Sequence, residues 1–151
     1  MGRNMIKSAT VCYQSLLQTS DLQSDAAQLA VLQYLDQMAE SLRDTQQRRF
    51  FGLFAAQKQS VKGLYLWGKV GRGKTLLTEL FLQSIPDIPH QRWHFHRFMN
   101  HVHHELNMLP GTADTLAVLA KAISKNCRLL VLDEFFVSDI GDAMILYRLL
   151  D

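Results

Sequence analysis

The chain is poor in cysteine and proline, with two cysteines and three prolines among 151 residues. Cys12 and Cys127 lie far apart without a CxxC spacing, which argues against a disulfide scaffold or a zinc ribbon. No apolar run approaches the ~20 residues that span a bilayer. The N-terminus lacks the apolar core of a secretory signal and the pattern for myristoylation. The sequence therefore predicts a cytoplasmic protein with reduced thiols and no transmembrane segment.

An excess of charge of either sign is also missing. The 16 basic and 14 acidic residues leave a formal net charge of +2, which is too small to indicate a nucleic acid or an anionic membrane as partner. The hydrophobic fraction of 48% and the charged fraction of 20% are typical of a soluble globular protein. A chain of 151 residues is long enough for a single core.

Residues 1–60 are predicted to form an N-terminal helical segment. Asp25 and Gln28 have the spacing of a capping box at the start of a helix. Apolar residues recur after this cap at the spacing of one helix face. They are Leu29, Leu32, Leu35, Ala39 and Leu42, with Val31 and Met38 beside them. The pattern predicts an amphipathic helix whose apolar face contacts the core.

From residue 61 the pattern changes to alternating strands and helices. The expected strands are VKGLYLW (61–67), RWHF (92–95) and LLVL (129–132). Helical spacing follows them over residues 75–85, 98–109, 112–123 and 138–150. Thr112 or Asp114 stands near the start of the third of these helices, and Ser138 or Asp139 caps the fourth. This order is typical of a three-layer α/β fold with a parallel sheet.

The stretch GKVGRGKT, between the first strand and the first helix of this pattern, has three glycines in eight residues. Its spacing satisfies G-x-x-x-x-G-K-[ST], the P-loop or Walker A motif. Glycines let such a loop curl so that its N–H groups point at phosphate oxygens, and the next helix directs its positive N-terminus at the same anion. The predicted phosphate-binding residues are Gly68, Lys69, Val70, Gly71, Arg72, Gly73, Lys74 and Thr75. Lys74 would contact the β- and γ-phosphates, and Thr75 would ligate Mg²⁺.

Two acids follow the third expected strand. Asp133 stands at the carboxyl end of this strand, where a Walker B aspartate holds Mg²⁺, here through a water. Glu134 is then placed to polarise an attacking water as the catalytic base. Glu134 and Lys74 are therefore the predicted catalytic residues, and ATP and Mg²⁺ are the predicted cofactors.

The same acids separate the classes of P-loop protein. A small GTPase would carry D-x-x-G after this strand, but Asp133 is followed by Glu134, Phe135 and Phe136, and the chain contains no N-K-x-D guanine-reading motif. The adjacent glutamate favours an ATPase and makes a small P-loop kinase less favoured. A nucleotide-binding or partner-binding fragment without turnover stays open as an alternative.

All six histidines fall between residues 90 and 104, which raises a metal site as a hypothesis. The chain has no H-E-x-x-H or comparable ligand spacing, so structural or surface histidines are favoured. Alternation places His94 and His96 on one face of the second expected strand. Trp67 and Trp93 stand at strand positions and are predicted to pack in the core or between domains.

Three stretches resemble the AFG-like ATPases, a family of AAA-type P-loop proteins. They are GLYLWGKVGRGKT (63–75), HFHRFMNHVHHEL (94–106) and LLVLDEFFVSDIGDAMIL (129–146). The nucleotide motifs are common to many ATPases, but their flanks are more specific to this family. The resemblance runs from about residue 12 onward. It implies a homo-oligomeric ATPase that couples ATP hydrolysis to the remodelling of a protein partner.

The resemblance also bears on the partner and on the extent of the domain. For bacterial members the implied partner is the tubulin-like division polymer FtsZ. For mitochondrial members it is a set of respiratory-chain subunits, and the compartment would then be the matrix. The family's sensor residues and trans-acting arginine finger have no counterpart before Asp151. We therefore expect residues 61–151 to form only the N-terminal part of the ATPase domain, with strands 1 to 3 of its sheet and negligible turnover alone.

Overall fold

The computed structural model describes residues 7–50, 61–109 and 114–150. The chain divides into two compact units, Met1–Ile88 and Pro89–Asp151. The helices and strands are, in chain order, α1 (Ala9–Thr19), α2 (Ala26–Phe50), α3 (Lys74–Ser84), β1 (His90–His94), α4 (Phe95–Met108), α5 (Thr115–Asn126), β2 (Leu129–Asp133) and α6 (Ile140–Leu150). The fold is mixed: it consists of helices in both units and a small parallel sheet in the second unit. Within the described ranges, no helix combines the length and the hydropathy that a membrane span requires.

The first helix begins at polar groups that satisfy its free backbone donors. The hydroxyl of Ser8 accepts a hydrogen bond from the Val11 N–H at 3.3 Å. The Asp36 carboxylate of α2 accepts from the N–H groups of Ala9 and Thr10 at 2.7 and 3.3 Å. First-turn N–H groups have no acceptor within their own helix. The start of α1 is therefore fixed both by its own sequence and by its neighbour α2.

One apolar cluster joins α1, α2 and α3 in the first unit. Its buried members are Ala9, Tyr13, Leu32, Leu77 and Leu80. The predicted apolar face of α2 is confirmed, because Leu32, Leu35, Met38, Ala39 and Leu42 are all buried. Burying a leucine side chain contributes about 1.5–3 kcal/mol, so this face supplies much of the free energy that holds α2 in place.

The second unit is built around the two strands. β1 and β2 are parallel, they are connected through α4 and α5, and their register pairs His94 with Asp133. Burial alternates along β1, where Gln91 and Trp93 are half-buried and the first, third and fifth residues are exposed. The helices and strands pack around Phe95, Phe98, Met99, Val102, Leu119, Leu146 and Leu149. The sheet thus has one face on this core.

The expected first strand, VKGLYLW, is not a strand in the structure. Residues 61–69 form neither helix nor strand, and Tyr65 and Trp67 are 64% and 83% exposed. β-propensity is expressed only where a neighbouring strand supplies hydrogen-bond partners and covers the side chains. Among the described residues the sheet contains β1 and β2 alone, where three strands were expected. Of the two alternatives predicted for Trp67, packing in the core is therefore wrong, and packing between domains stays a prediction.

The second expected strand lies earlier than predicted. It covers His90–His94 instead of residues 92–95, and α4 begins directly at Phe95. Phe95 and Phe98 are both buried, so the spacing of one helix face already starts at Phe95. His96 consequently lies on a helix and does not share a strand face with His94.

Aspartates begin the last two helices. Asp114 Oδ1 accepts from the Ala117 N–H at 3.2 Å before α5, and Asp139 Oδ1 accepts from the Gly141 N–H at 2.6 Å at the start of α6. These are side-chain caps of the ordinary kind. Asp114 and Asp139 are among the residues that the sequence offered for the starts of these two helices, and the structure confirms both. Thr112, the other candidate for the start of α5, lies outside the described residues.

Candidate functional site

The loop over residues 68–75 turns through glycines in backbone conformations that other residues avoid. Gly68, Gly71 and Gly73 have φ angles of +146°, +82° and +80°. A Cβ atom makes such angles unfavourable, which is why glycine is the residue found there. Open space surrounds the positions where Gly68 and Gly71 would carry a Cβ. These two positions therefore require glycine for the path of the backbone and not for lack of room.

The side chain of Lys74 folds back over the start of the loop. Its Nζ donates hydrogen bonds to the carbonyl oxygens of Gly68 and Lys69 at 2.7 and 3.0 Å. An ammonium held by two neutral carbonyls can exchange them for phosphate oxygens, which bind it more strongly because they are charged. The loop thus holds a cation among its own backbone groups.

The loop ends at the N-terminus of α3. Gly73 caps this helix in the left-handed conformation, and the first helical hydrogen bond runs from the Leu77 N–H to the Gly73 carbonyl at 3.0 Å. The N–H groups of Lys74, Thr75 and Leu76 precede that bond and have no acceptor within the helix. Together with the helix dipole they favour an anion at this end.

Side chains of α1 and α2 contact the last residues of the loop, a feature that the sequence analysis missed. The Gln28 Nε2 donates to the Arg72 carbonyl at 3.1 Å, and the Arg72 guanidinium pairs with the Asp25 carboxylate at 3.3 Å. The buried Tyr13 donates its hydroxyl proton to the Gln28 Oε1 at 2.7 Å. Asp25 does cap α2, through the Ala27 N–H at 2.8 Å, but Gln28 turns to the loop and not to its own helix. No local pattern could reveal this contact, because it joins residues 44 positions apart.

Asp133 ends β2 and is contacted by the neighbouring strand. The Arg92 Nε donates to the Asp133 Oδ2 at 2.5 Å, and the two side chains are 30% and 24% exposed. Arg92 lies opposite Val131 in the register, so Arg92 and Asp133 are diagonal neighbours on one face of the sheet. The sequence analysis did not identify Arg92. Arg92 precedes the apolar Trp93 in β1, and the alternation of side chains along a strand could have suggested that Arg92 faces away from the core. It could not have suggested that Arg92 contacts Asp133.

Glu134 follows directly and has an unusual backbone conformation. Its φ angle of +52° is rare for a residue other than glycine, and such conformations persist only where the surrounding structure enforces them. Its side chain is 81% exposed, and its Oε2 lies 3.8 Å from the His94 Nδ1. A carboxylate in this position is open to water, as a general base needs to be.

The two predicted motifs lie in different compact units. The loop 68–75 belongs to Met1–Ile88, and Asp133 and Glu134 belong to Pro89–Asp151. Within the first unit the structure brings Lys74 to the glycines of the loop. Within the second it brings both acids to β1. The action of the two groups on one nucleotide stays a prediction.

Two of the histidines contact side chains of the second unit. The His103 Nε2 lies 2.7 Å from the Asp142 Oδ1, and the His101 ring stacks on Trp93 with 5.4 Å between ring centroids. Over residues 7–50, 61–109 and 114–150, no group of three or more histidine, cysteine, aspartate or glutamate side chains is arranged to hold a metal ion. Trp93 packs against the core of the second unit, as the sequence predicted.

Two groups outside the motifs have shifted pKa values. The Arg43 guanidinium donates to the Asp87 carboxylate at 2.9 and 3.1 Å and holds the pKa of that carboxyl below its ordinary value. Burial raises the pKa of the Cys127 thiol, because the thiolate is poorly solvated there. Cys127 is thus a poor nucleophile, and both cysteines are free.

Comparison with known proteins identifies the family of the chain. A model of the AFG1-like ATPase family matches residues 7–151, which is nearly the whole chain. The chain belongs to the AFG1-like ATPase family. The resemblance seen in the motifs is thereby confirmed, and it extends through the N-terminal helices as well as the motif-bearing stretches. No significant match to a solved structure was found.

Three relatives of the family illustrate the range of the similarity. The chain is 56% identical over 86 residues to the cell division protein ZapE of Escherichia coli strain K12, a match that covers 57% of this chain and 23% of that protein. It is 42% identical over 96 residues to an uncharacterized protein of Schizosaccharomyces pombe, covering 60% and 21%. It is 35% identical over 101 residues to lactation elevated protein 1 homolog B of Danio rerio, covering 60% and 20%. The chain therefore spans less than a quarter of the length of these relatives.

Proposed function

We propose that this AFG1-like ATPase binds the phosphates of Mg·ATP in the loop 68–75. The observation that carries the proposal is the combination of three glycines at positive φ with Lys74 at the first turn of α3. Lys74 would exchange the carbonyls of Gly68 and Lys69 for oxygens of the β- and γ-phosphates. The free N–H groups at the start of α3 would face the same anion.

The two motifs carry oxygen donors that would hold a magnesium ion. The Thr75 hydroxyl would bind it directly, and the Asp133 carboxylate would bind it through a water. Hydroxyl, carboxylate and water oxygens are the ligands that Mg²⁺ prefers. When bound, Mg²⁺ neutralises charge on the phosphate oxygens. Arg92 contributes by holding the Asp133 carboxylate in one orientation.

Glu134 would act as the general base. Its exposed carboxylate can accept a proton from water, and its constrained backbone fixes the direction in which the side chain leaves β2. Lys74 would stabilise the negative charge that develops on the γ-phosphate. These roles define ATP hydrolysis as the proposed reaction.

We further propose that residues 61–151 form the N-terminal part of an AAA-type P-loop domain, preceded by the helical segment 1–60. In a cytoplasmic homo-oligomer, hydrolysis would drive the remodelling of a protein partner. The name of the E. coli relative, a cell division protein, supports a role in cell division, and the family resemblance implies the polymer FtsZ as the partner.

The test is a titration of a fluorescent ATP analogue into the purified chain with Mg²⁺ present. Lys74→Ala should weaken binding by about 10- to 100-fold, because it removes charge-assisted hydrogen bonds to phosphate. Lys62→Ala is the matched control, since Lys62 is an exposed lysine six residues before the loop. It should bind like the unmodified chain.

Equal affinities of the unmodified chain and Lys74→Ala would exclude the loop as the nucleotide site. Phosphate release should be followed in the same samples. Binding that depends on Lys74 without any phosphate release would favour the alternative of a nucleotide-binding protein without turnover.

A further inference from the structure

We propose that Gln28 is a positioning residue for the phosphate-binding loop. Held by Tyr13, it fixes the peptide between Arg72 and Gly73, so that α1 and α2 form part of the nucleotide site. The nucleotide role of Gln28 rests on the proposed function of the loop, whereas its anchoring of the loop does not.

The position of the Gln28 side chain is set by a buried hydroxyl. Tyr13 is fully buried in the cluster that joins α1, α2 and α3. Its hydroxyl donates to the Gln28 Oε1 at 2.7 Å and accepts from the Asp25 N–H at 3.3 Å. A hydroxyl has one proton to donate, and here that proton is committed to Gln28. The apolar core thus determines where the Gln28 carboxamide lies.

The other end of the carboxamide determines its orientation. The Gln28 Nε2 donates to the Arg72 carbonyl at 3.1 Å. The reversed amide would place the Gln28 oxygen against that carbonyl, and two acceptors repel each other. Both ends of the side chain are therefore engaged, with one end on the core and the other on the loop.

Fixing the Arg72 carbonyl also fixes the next N–H group. The C=O and N–H of a trans peptide lie in one plane and point in opposite directions. With its carbonyl bonded to Gln28, the Arg72–Gly73 peptide must direct the Gly73 N–H away from α2. Gly73 is the cap of α3, so the same peptide sets how the loop enters the helix. The phosphate-binding N–H groups follow immediately.

The Gln28 side chain lies so close to Gly73 that no side chain would fit between them. A Cβ atom on Gly73 would lie 2.6 Å from the Gln28 Nε2, closer than such atoms approach in proteins. The glycine at this position and the glutamine on α2 therefore fit each other. The Asp25–Arg72 ion pair at 3.3 Å adds a second connection between the same segments, although its exposed position makes it weak.

The first measurement follows the glycine amides of the nucleotide-free chain. Selective ¹⁵N labelling of glycine yields a simple spectrum, because the chain has eight glycines. Gln28→Ala should shift or broaden the signals of Gly71 and Gly73 and leave that of Gly141 in place. Gln33→Ala, an exposed glutamine on the same helix, is the matched control and should leave all glycine signals unchanged.

The second measurement is the affinity for the fluorescent ATP analogue. Gln28→Ala should weaken binding by about 3- to 10-fold, the usual net worth of one neutral hydrogen bond. Tyr13→Phe keeps the buried ring and removes only the hydroxyl, so it should weaken binding by less. Because Tyr13 acts through Gln28, the double variant should bind no more weakly than Gln28→Ala alone. If the Tyr13 hydroxyl affected binding independently of Gln28, the losses of affinity in the two single variants would add in the double variant.

Unchanged Gly71 and Gly73 signals together with unchanged affinity in Gln28→Ala would overturn the inference, even where Lys74→Ala still weakens binding as expected. A Lys74→Ala variant that binds normally would instead remove the proposed function, and with it the nucleotide role of Gln28. If Gln28→Ala does not fold, Tyr13→Phe supplies both measurements, and unchanged results in that variant would overturn the inference in the same way.

Discussion

Arg92 on β1 donates a hydrogen bond from its Nε to the carboxylate of Asp133 on β2, at 2.5 Å. The parallel register makes these residues diagonal neighbours on one face of the sheet. Both side chains are more than two-thirds shielded from solvent, which strengthens the attraction between their charges. The residue that we propose as the water-mediated Mg²⁺ ligand is thus oriented by the strand beside it.

Removal of this contact should destabilise the second unit. Arg92→Gln removes the guanidinium charge and should lower the free energy of unfolding by about 1–2 kcal/mol, since a hydrogen bond to a charged group is lost. Asp133→Asn should have a similar effect. Because both changes break the same contact, the double variant should lose less than the sum of the two. Urea unfolding followed by circular dichroism measures all three.

Arg97→Gln is the control for this comparison. Arg97 lies exposed on α4, and its substitution should change the free energy of unfolding by no more than about 0.5 kcal/mol. Strict additivity of the Arg92 and Asp133 effects would show that the two side chains do not stabilise each other.

Where ATP hydrolysis is measurable, Glu134→Gln should lower kcat by about 10²- to 10⁴-fold, because an amide cannot accept the proton of the attacking water. Affinity for the nucleotide should change little, since the amide keeps the size of the side chain. Single-turnover phosphate release measures the chemical step. Hydrolysis at the unmodified rate would remove Glu134 as the base.

The left-handed backbone of Glu134 leads to an unusual expectation for stability. A residue with a side chain at φ +52° is strained by about 1–2 kcal/mol, and glycine avoids this strain. Glycine also gives the unfolded chain more conformational entropy, which lowers the stability of the folded state by about 0.4–1 kcal/mol. Glu134→Gly should therefore raise the free energy of unfolding by about 0.5 kcal/mol. Glu40→Gly, at an exposed position within α2, should instead lower it by about 1 kcal/mol. Similar losses in both variants would contradict the strain at Glu134.

The Arg43–Asp87 pair should make stability depend on pH in the acidic range. The pKa of Asp87 is lowered in the folded protein, so the unfolded chain binds more protons there. The stabilisation is complete above the ordinary aspartate pKa of about 3.9 and is lost as the pH falls through the lower folded value. Asp87→Asn should melt below the unmodified chain at about pH 6, and the difference should close below about pH 4.

Salt provides the control for this pH dependence. The Arg43 and Asp87 side chains are 29% and 37% exposed, so the effect is small and about 1 M salt should reduce it further. A difference in melting temperature that stays constant from neutral to acidic pH would show that Asp87 acts by packing and not by charge.

The exposure of Trp67 can be measured by fluorescence. In a Trp93→Phe variant, emission from Trp67 should resemble that of tryptophan in water and should be strongly quenched by acrylamide. In the reciprocal Trp67→Phe variant, Trp93 should be quenched several-fold less, because it packs on the second core and stacks against His101. Equal quenching of the two would indicate that the segment 61–67 is covered.

Short-range patterns in the sequence were enough to locate the helices and the loop. The apolar spacing of α2 predicted its buried face, because residues three and four apart always share a side of a helix. The glycine spacing predicted a loop before α3 for a similarly local reason, since positive φ angles are accessible to glycine in any context. The P-loop prediction thus needs only eight consecutive residues, whose backbone angles are limited by steric contacts between neighbours in the chain.

Prediction from the sequence did not succeed where a structure depends on a partner. VKGLYLW has the composition of a strand, but composition cannot supply the neighbouring strand that a ladder requires. Gln28 fitted a capping box with Asp25, yet the buried Tyr13 and the Arg72 carbonyl bind its carboxamide instead. A polar side chain makes the hydrogen bonds that its surroundings offer, and these surroundings are assembled from distant segments.

The sequence by itself determined which residues the proposed chemistry would use: the glycines, Lys74 and Thr75 of the loop, and the two acids after β2. The tertiary structure decided which side chains support that chemistry. Gln28 reaches the loop across 44 residues and Arg92 reaches Asp133 across 41. Helix packing sets the first contact and strand register sets the second. Both depend on how the apolar faces fit together, which local backbone preferences do not encode.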